Sequence, residues 1–329
     1  MSRVSVAIAT YSRAVMVREA VEAALEQTRP PEEIVVSDDA SPDQTLAVLE
    51  QLVRSHPSVQ IVRQKRNTGG VPNWNAALDA SSGDFLAWCS DDDRFLPDHL
   101  EASIAYLEAN PEVGLVHSGF VDAVESGSVT ERIARPHRFG EPYLVHRDNL
   151  ISYMIRCYDW PFHPSTIVMR RKVWVETGPF DPSYALADTD WFVRAAERFS
   201  VVLLPRHGVV NRRHPGNWSN RVGSAAMQHE IFAIVEGAIE RLWPRNLMAR
   251  AWARAMWRTN VRLRLLLTVR MRVRSGHSAA ANALWHQVLQ GTGRSAPAWL
   301  EKIGTNTIRR LGAGREASFE DARQSVSPL

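Results

Sequence analysis

Cysteines and long apolar runs are both scarce in this 329-residue sequence. The two cysteines, Cys89 and Cys157, lie far apart, which argues against a disulfide framework and favours a reducing cytoplasm. No uncharged stretch approaches the ~20 apolar residues that span a bilayer, and the N-terminal apolar run is too short for a secretion signal. The sequence therefore predicts a cytoplasmic protein, and its 45% hydrophobic content is typical of a globular one.

Acidic residues are absent from one long segment near the C-terminus. From Arg241 to Leu300 there is no Asp or Glu, although eleven arginines fall in that segment. The net charge of +3 hides this asymmetry, because the acids are concentrated in the first two thirds of the chain. We therefore predict a catalytic domain over residues 1–222 and a basic, Arg- and Trp-rich helical region over residues 223–329.

Within the basic region, arginines recur at every fourth position and would form a stripe along a helix. Two explanations fit this pattern. The helix packs on the catalytic domain with its arginines in solvent, or it attaches the protein to the inner face of an anionic membrane. No nucleic-acid-binding module is recognisable, so no nucleic acid partner is predicted. The arginines are Arg250, Arg254, Arg258 and Arg262, with Trp252 and Trp257 among them.

Short apolar runs alternate with helical patterns over the first 110 residues. This alternation predicts an α/β fold with a parallel sheet, right-handed crossovers and flanking helices. Ligands of such sheets bind beyond the carboxyl ends of the strands. We expect Ser12 to cap the first helix and a last strand to cover only residues 201–204. The predicted early strands are 4–9, 33–37, 59–63 and 84–89.

Two clusters of carboxylates directly follow predicted strands and should open into one crevice. The three adjacent carboxylates of Asp91, Asp92 and Asp93 repel one another unless a cation or solvent screens them. Mg²⁺ binds one or two carboxylates and fills its other positions with phosphate oxygens and water. The alternative is a solvated turn that caps the next helix. For the second cluster, Asp38-Asp39, a turn and a contact to a base or ribose remain equally open.

Other polar and aromatic residues are weaker candidates. Asp188 is placed to act as a general base for an acceptor hydroxyl, although it or Asp190 would also serve as a helix cap. His163 and His214 are potential metal ligands, but a single histidine is usually a polar surface residue. Aromatic side chains stack on bases or sugars, yet they more often belong to a core. The aromatic candidates are Tyr11, Trp160 and Trp191.

Six segments between residues 3 and 220, taken in order, resemble the inverting glycosyltransferases of family 2. They are VSVAIATYSR, EEIVVSDDASPDQT, RNTGGVPNWNAAL, GDFLAWCSDDDRFLPDHL, HPSTIVMRRKVWVETGPFDPSY and ADTDWFVRAAER. The resemblance implies a Rossmann-like GT-A fold and transfer of a sugar from a UDP- or dTDP-sugar to a hydroxyl acceptor. It implies a role in cell-surface polysaccharide, glycolipid or glycosylated metabolite synthesis, and it leaves a lipid-linked acceptor open.

The resemblance also implies roles for individual residues. Asp188 would be the catalytic base, and Asp93, in the D-x-D pair with Asp91, would bind Mg²⁺ or Mn²⁺. His214 resembles a downstream histidine that in some members holds the metal or the diphosphate. The acceptor would contact Trp160, His163, Asp190 and Trp191. The nucleotide would contact Thr10, Tyr11, Arg13, Asp39, Asn67, Asp91 and Asp92, with Asp39 at the uracil or thymine edge.

The sequence departs from the family pattern at four positions, and these leave an alternative function open. Ala9 and Ser12 replace the usual Pro and Asn, and Trp74 replaces an Arg found in many relatives. Ala187 stands where a Glu usually precedes the base, which keeps a non-catalytic sugar-nucleotide-binding or scaffold protein in view. The Q-x-x-R-W motif of processive synthases is missing, which favours single transfer. A G-x-G-x-x-G after the first strand is also missing, which argues against a Rossmann dehydrogenase.

Overall fold

The structure, a computed structural model, describes residues 2–124, 129–132, 141–156, 163–217 and 224–259. The chain divides into two compact units, Met1–Val222 and Gly223–Leu329. The strands are β1 (Val4–Thr10), β2 (Glu33–Asp38), β3 (Val59–Arg63), β4 (Phe85–Ser90), β5 (Arg94–Phe95), β6 (Val113–Val124), β7 (Val129–Arg132), β8 (Tyr143–Val145), β9 (Ile167–Arg170) and β10 (Ser200–Arg213). The helices are α1 (Ala14–Leu25), α2 (Thr45–Ser55), α3 (Gly70–Ala80), α4 (His99–Ala109), α5 (Leu150–Arg156), α6 (Arg171–Thr177), α7 (Ala187–Ala196), α8 (Ser224–Leu242) and α9 (247–259).

One twisted layer of strands forms the centre of the first unit. The sheet order is β3-β2-β1-β4-β9-β6-β10-β5, with β7 beside β6 and β8 beside β10. Strands β1 to β4 pair in parallel, as does β10 with β6. Strand β9 runs antiparallel between β4 and β6. The predicted α/β fold, with a mostly parallel sheet flanked by helices, is confirmed.

The core follows from the apolar pattern of the early strands and helices. Every residue of β1 is buried, because a central parallel strand is covered by helices on both faces. Helix α1 buries Val17, Ala20, Val21 and Ala24, whose spacing of three and four residues defines one helical face. This packing holds the carboxyl ends of β1, β2 and β4 side by side.

The prediction that the last strand ends near residue 204 is wrong, because β10 continues to Arg213. Pro205 and Gly208 both lie within the strand, at positions where a regular ladder is usually interrupted. In the structure, shifts of register against β6 between Leu203 and Val209 absorb both residues, as β-bulges do. The extended strand carries Arg212 to Asp92, one of the acidic residues that follow β4, whereas Arg213 pairs with Asp122 of β6.

The predicted helix cap at Ser12 is also wrong. Helix α1 begins at Ala14 after Arg13 and has no side-chain cap. Ser12 adopts a left-handed conformation with φ of 54°, and its N–H donates to Ser41 Oγ at 2.9 Å. Ala40, next to Ser41, is left-handed as well, with φ of 58°. The loops after β1 and β2 are therefore joined to each other, in conformations that L-residues seldom adopt.

In the second unit, three arginines of the predicted stripe lie on α9 and pair with acidic residues of α8, and Arg262 lies outside the described residues. Arg254 Nε lies 2.7 Å from Glu236 Oε2 and also pairs with Glu240. Arg258 pairs with Glu236 and Arg250 with Glu240. Trp257 is buried, whereas Trp252 is 60% exposed. No described helix is both long and apolar enough to cross a bilayer.

Candidate active site

The acidic triplet that follows β4 is buried, not solvated. Asp91, Asp92 and Asp93 are 6%, 8% and 0% exposed. A solvated turn would leave these carboxylates in water, so that explanation of the triplet does not hold. Because burial of a charge is costly unless it is paired, the partners of each carboxylate decide what the site can bind.

Arg13 neutralises the first two carboxylates. Its Nη1 donates to Asp91 Oδ1 at 2.7 Å and to Asp92 Oδ2 at 2.8 Å, and its Nη2 donates to the carbonyl of Gly216. Thr10 Oγ1 donates to Asp91 Oδ2 at 2.7 Å. Burial nevertheless raises the pKa of Asp91 to about 6, against the opposing charge of Arg13. Thr10 and Arg13, both predicted to line the nucleoside pocket, are thus placed directly against the triplet.

Residues after β10 surround Asp92. His214 Nε2 lies 3.1 Å from Asp92 Oδ2, and Asn217 Nδ2 donates to the same oxygen at 3.2 Å. Arg212 Nε donates to the Asp92 carbonyl at 2.6 Å and its Nη1 pairs with Glu19. The structure therefore places His214 on Asp92, and its role in binding a metal or the diphosphate stays a prediction.

Asp93 is the carboxylate with the least compensation. Ser165 Oγ donates to its Oδ2 at 2.6 Å, and His163 Nδ1 lies 3.4 Å from the same oxygen. Its Oδ1 is buried and has no hydrogen-bond partner among the described residues. Burial, and then the charge of Asp92, raise the pKa of Asp93 to about 8. A buried carboxylate oxygen without a partner is suited to a cation.

The unpartnered carboxylate oxygen of Asp93 is a suitable ligand for a divalent cation. Mg²⁺ and Mn²⁺ bind carboxylate oxygens and complete their coordination with phosphate oxygens and water, so one protein carboxylate is a sufficient anchor. No cluster of three or more His, Cys, Asp or Glu that would enclose an ion occurs in the described part of the chain. A cation at this site would therefore need the phosphates of a ligand to complete its coordination, because the protein does not enclose it.

The nucleotide side of the site is built on Asp39. Its Oδ1 accepts from the N–H and the hydroxyl of Thr68, and its Oδ2 accepts from the Gly69 N–H at 2.9 Å. The Asp39 N–H donates to the Thr10 carbonyl, which links it to the triplet. Asn67 and Tyr11 are exposed beside these loops. Asp39 therefore holds the loop before α3, and its Oδ2, which accepts a single hydrogen bond, keeps a second lone pair for a ligand.

Asp188 lies in the first turn of α7. Its Oδ1 accepts from the Thr189 N–H at 2.7 Å. Burial raises the pKa of Asp188, and the Thr189 N–H and the charge of His163 oppose that rise. The pKa of His163 is lowered to about 4, mainly by burial and against the effects of Asp92 and Asp188. Asp188 and His163 thus act on each other's pKa, and His163 Nδ1 in turn lies 3.4 Å from Asp93 Oδ2.

Two of the residues proposed to contact an acceptor have structural partners instead. Trp191 is fully buried, packs on Trp174 and Phe180, and donates its indole N–H to the Gly178 carbonyl. We correct its assignment, because a side chain enclosed in an aromatic core cannot reach an acceptor. Asp190 is buried and accepts from Arg194 Nε at 2.7 Å, as an i,i+4 pair within α7. Trp160 lies outside the described residues.

Three residues of the site were not singled out from the sequence: Ser165, Arg212 and Asn217. Ser165 lies in a 3-10 turn (Pro164–Thr166) before β9, and the antiparallel insertion of β9 beside β4 brings it to Asp93. Arg212 reaches Asp92 because β10 is long. A run of polar residues at 211–217, NRRHPGN, was the available signal for Arg212 and Asn217, and it covers the last three residues of β10 and the turn after them.

We predict that Arg13→Gln destabilises the first unit by roughly 3 kcal/mol at neutral pH, because removing one partner of a buried ion pair leaves charge uncompensated. The loss should shrink at pH 5, where Asp91, with its pKa raised to about 6, takes up a proton. Urea unfolding at both pH values measures it. Arg18→Gln is the matched control, since Arg18 forms a partly exposed helical pair with Glu22 and should cost less than about 1 kcal/mol. Equal losses for the two variants would contradict this reading of Arg13.

The family model for glycosyl transferase family 2 matches residues 5–177, which is more than half of the chain. The chain belongs to glycosyl transferase family 2. YwdF, an uncharacterized glycosyltransferase of Bacillus subtilis, is 29% identical over 213 residues, covering 63% of this chain and 73% of YwdF. An uncharacterized glycosyltransferase of Haemophilus influenzae is 28% identical over 222 residues, covering 67% of this chain and 68% of the relative.

Solved structures share the fold of this family 2 glycosyltransferase. S. aureus TarS 1-349 in complex with UDP has a TM-score of 0.62 at 16% identity and covers 96% of this chain and 92% of that chain. The mannosyltransferase PcManGT of Pyrobaculum calidifontis, in complex with GDP-Man and Mn²⁺, has a TM-score of 0.52 at 17% identity, over 95% and 86%. The chain spans 43% of a longer TarS chain that it also matches. These likenesses concern the GT-A fold.

Proposed function

We propose that this family 2 glycosyltransferase catalyses metal-assisted, inverting transfer of a sugar from a UDP- or dTDP-sugar to a hydroxyl acceptor. The observation that carries the proposal is the buried Asp93 carboxylate with its unpartnered Oδ1. In this proposal the loops held by Asp39 would take the nucleotide, and Asp188 of α7 would face the acceptor. Both sides are needed, because donor and acceptor must meet at one carbon atom.

Donor binding would use the loops at the ends of β1 and β2. Asp39 would accept a hydrogen bond from the base, since thymine and uracil each present an N–H donor. Tyr11, 44% exposed at the end of β1, would stack on the base. Asp91 and Arg13 would face the ribose and the diphosphate, with Arg13 released from part of its pairing when a cation shares the triplet. The TarS 1-349 structures in complex with UDP and with UDP-GlcNAc support a uridine donor.

The diphosphate would be held at Asp93, with His214 close by on Asp92. A divalent cation, when bound there, would offset the charge of the departing diphosphate. Asp93 must be ionised for this, and its raised pKa predicts that cation and proton compete for it. The PcManGT complex with Mn²⁺ supports a metal of this class.

Asp188 would remove the proton from the acceptor hydroxyl as that oxygen attacks the anomeric carbon. Attack from the face opposite the diphosphate, in one displacement, inverts the configuration of that carbon. A raised pKa suits a general base that works near neutral pH. Ala187 leaves Asp188 without a neighbouring carboxylate in the chain, so the Thr189 N–H is the group that orients it.

The acceptor would be a hydroxyl of a cell-surface glycan, glycolipid or metabolite, and a lipid-linked acceptor would place the enzyme at an anionic membrane. Since Arg250, Arg254 and Arg258 pair with Glu236 and Glu240, membrane attraction would come from the arginines beyond residue 259.

We predict that Arg254→Gln lowers the stability of the α8–α9 pair by up to about 1 kcal/mol and leaves binding to phosphatidylglycerol vesicles unchanged. Its guanidinium is already paired with Glu236 and Glu240, so it adds little to membrane attraction. Thermal melting and vesicle co-sedimentation measure the two effects. Loss of vesicle binding without loss of stability would show that this arginine faces a membrane, contrary to the pairing.

A thermal-shift screen of UDP-, dTDP- and GDP-sugars with Mn²⁺, Mg²⁺ or EDTA tests the proposal. A UDP- or dTDP-sugar should raise the melting temperature most, and only with a metal. Donor hydrolysis, followed as release of the nucleoside diphosphate, then separates an enzyme from a non-catalytic binding protein of the same fold. Stabilisation without any hydrolysis would favour the non-catalytic alternative that Ala187 leaves open. Absence of stabilisation by every donor would contradict the proposed function.

A further inference from the structure

One side of helix α9, in the second unit, is exposed and carries almost no charge. Over residues 247–259 eight side chains are exposed, and Arg258 is the one that is charged. Six of the others recur at spacings of three and four residues, which places them along one side of the helix. Contiguous exposed surface of this kind usually marks a site of interaction. These six residues, here called the apolar face of α9, are Met248, Ala251, Trp252, Ala255, Met256 and Thr259.

The large side chains of the apolar face point away from the helix pair. Met248, Trp252 and Met256 lie four residues apart and are 85%, 60% and 42% exposed. Another side of the helix is packed, since Trp257 is buried and its ring lies 5.8 Å from that of Phe232 on α8. Large apolar side chains in water gain free energy when they enter an apolar environment. The apolar face is therefore suited to contact with an apolar partner.

The arginines of α9 lie beside α8 and not on the apolar face. Arg254 pairs with Glu236 and Glu240, Arg250 pairs with Glu240, and Arg258 pairs with Glu236. Three arginines thus neutralise two glutamates along the seam between the helices. Because these carboxylates are paired, they offer little repulsion to an anionic partner of the neighbouring face.

We propose that the apolar face of α9 docks on an anionic phospholipid surface, with Trp252 inserted at the boundary between head groups and acyl chains. A helix with Trp and Met on one side and arginines beside them is typical of interfacial binding. The inference rests on the lipid-linked acceptor of the proposed function, because the enzyme would have to meet such an acceptor at the membrane. It names the part of the folded chain that would make the contact.

Charge favours a lipid surface over a second copy of the chain as the partner. The segment from Arg241 to Leu300 contains no Asp or Glu. Arg245 is exposed in the turn before α9, where it lines an open depression of about 570 Å³ together with Leu247 and Met248. Positive charge therefore borders the apolar face and complements anionic head groups. Two copies that met through this face would bring their acid-free segments together, and like charges would oppose that contact.

Co-sedimentation of the full chain with phosphatidylglycerol vesicles tests the inference. Trp252→Ser should weaken vesicle binding roughly tenfold or more, because the small polar side chain gains nothing from the acyl region. Trp252→Phe keeps an apolar ring and should bind within about threefold of the wild type. Since Trp252 is exposed, both variants should keep the melting temperature and the UDP affinity of the wild type.

Vesicles with brominated acyl chains give a second readout, because bromine quenches the fluorescence of tryptophans that enter the membrane. Quenching should be stronger in the wild type than in Trp252→Phe, although both proteins bind. Val175→Ser is the matched control. Val175 is a 64% exposed apolar residue on α6 of the first unit, and its replacement should change neither vesicle binding nor quenching.

Equal vesicle binding by the wild type and Trp252→Ser would overturn the inference. A wild-type dimer that Trp252→Ser dissociates, measured by sedimentation velocity, would also overturn it, because a second copy would then cover the face. So would a lower melting temperature of Trp252→Ser with vesicle binding intact, since the chain itself would then cover the face. A wild type that transfers sugar but binds no vesicles refutes this inference alone. Normal vesicle binding without a response to any donor contradicts the proposed function alone.

Discussion

Replacing Asp188 by Asn is expected to lower kcat by about 10²–10⁴, the usual contribution of a general base, while UDP affinity stays nearly unchanged. The amide keeps the size of the side chain and still accepts the Thr189 N–H, but it cannot take the acceptor proton. In the proposed function the donor would be held by the loops after β1 and β2, so its binding would not depend on this carboxylate. Steady-state transfer rates and calorimetric titration with UDP measure the two quantities.

Asp190→Asn is the matched control for this variant. It makes the same change two residues away on α7, where the carboxylate pairs with Arg194. We expect it to reduce stability and to leave kcat close to the wild-type value. If the two variants lost activity equally, or if Asp188→Asn kept wild-type turnover, Asp188 would not be the base.

The pH profile provides a further readout of Asp188. The base acts only when ionised, so kcat should fall as the pH drops through its pKa. Since burial raises that pKa, the fall should begin above the ordinary range of an aspartate, which is near 3.9. The residual activity of Asp188→Asn should lack this acid limb.

Replacing Asp93 by Asn is the second change with a large expected effect. It should abolish the dependence of UDP binding on Mn²⁺ and lower UDP affinity in Mn²⁺ at least to the level of the wild type in EDTA. The physical reason is that the neutral amide keeps the Ser165 contact region but offers no charge to a cation. Calorimetry with Mn²⁺ and with EDTA measures it. Asp98→Asn, at a half-exposed carboxylate that pairs with Arg206, is the control and should keep the metal response.

The same variant should change how stability depends on pH in the absence of metal. The pKa of Asp93 is raised to about 8 in the folded chain, against about 3.9 when unfolded. Between these values the folded state holds the proton and the unfolded state does not, so the free energy of unfolding falls as pH rises. Asp93→Asn should remove most of this fall above pH 6, while Asp91, with its pKa raised to about 6, still contributes below that pH. Urea unfolding in EDTA at pH 6.5 and pH 8 measures it, and an undiminished slope in the variant would assign the fall to another group.

The parts of the fold that sequence predicts well are those set by local pattern. Strands β1 to β4 are short apolar runs bounded by turn residues, and each lies within a residue or two of its predicted bounds. Their order as a parallel sheet follows from the alternation with helices. The parallel strand order was enough to predict that the residues after β2 and β4 meet. In the structure, Asp39 and Asp91 are both hydrogen-bonded to Thr10.

What sequence could not predict depends on pairing between distant segments. Pro205 and Gly208 are tolerated inside β10 because register shifts against β6 accommodate them, and nothing local signals such a partner. The antiparallel insertion of β9 between β4 and β6 is likewise set by tertiary packing. These two pairings deliver Arg212 and Ser165 to the triplet, so the residues that sequence reasoning missed are those brought by long-range strands.

Side-chain roles were least predictable where one residue type serves two purposes. Trp191 follows Asp188 and Asp190 closely in sequence, yet the helical turn points it into a core of Trp174 and Phe180. Arg13 was predicted to contact the nucleoside, whereas in the structure it forms ion pairs with two carboxylates of the triplet. Both outcomes depend on burial and charge compensation, which a linear pattern does not report.

The central claim is that Asp93 and its neighbours hold a cation against the diphosphate of a nucleotide donor. Calorimetric titration of the wild-type chain with UDP, once in Mn²⁺ and once in EDTA, tests this claim most directly. The account predicts UDP binding at least tenfold tighter with Mn²⁺, because an ion at Asp93 attracts the phosphates and removes the buried charge. Equal affinity under the two conditions would contradict it.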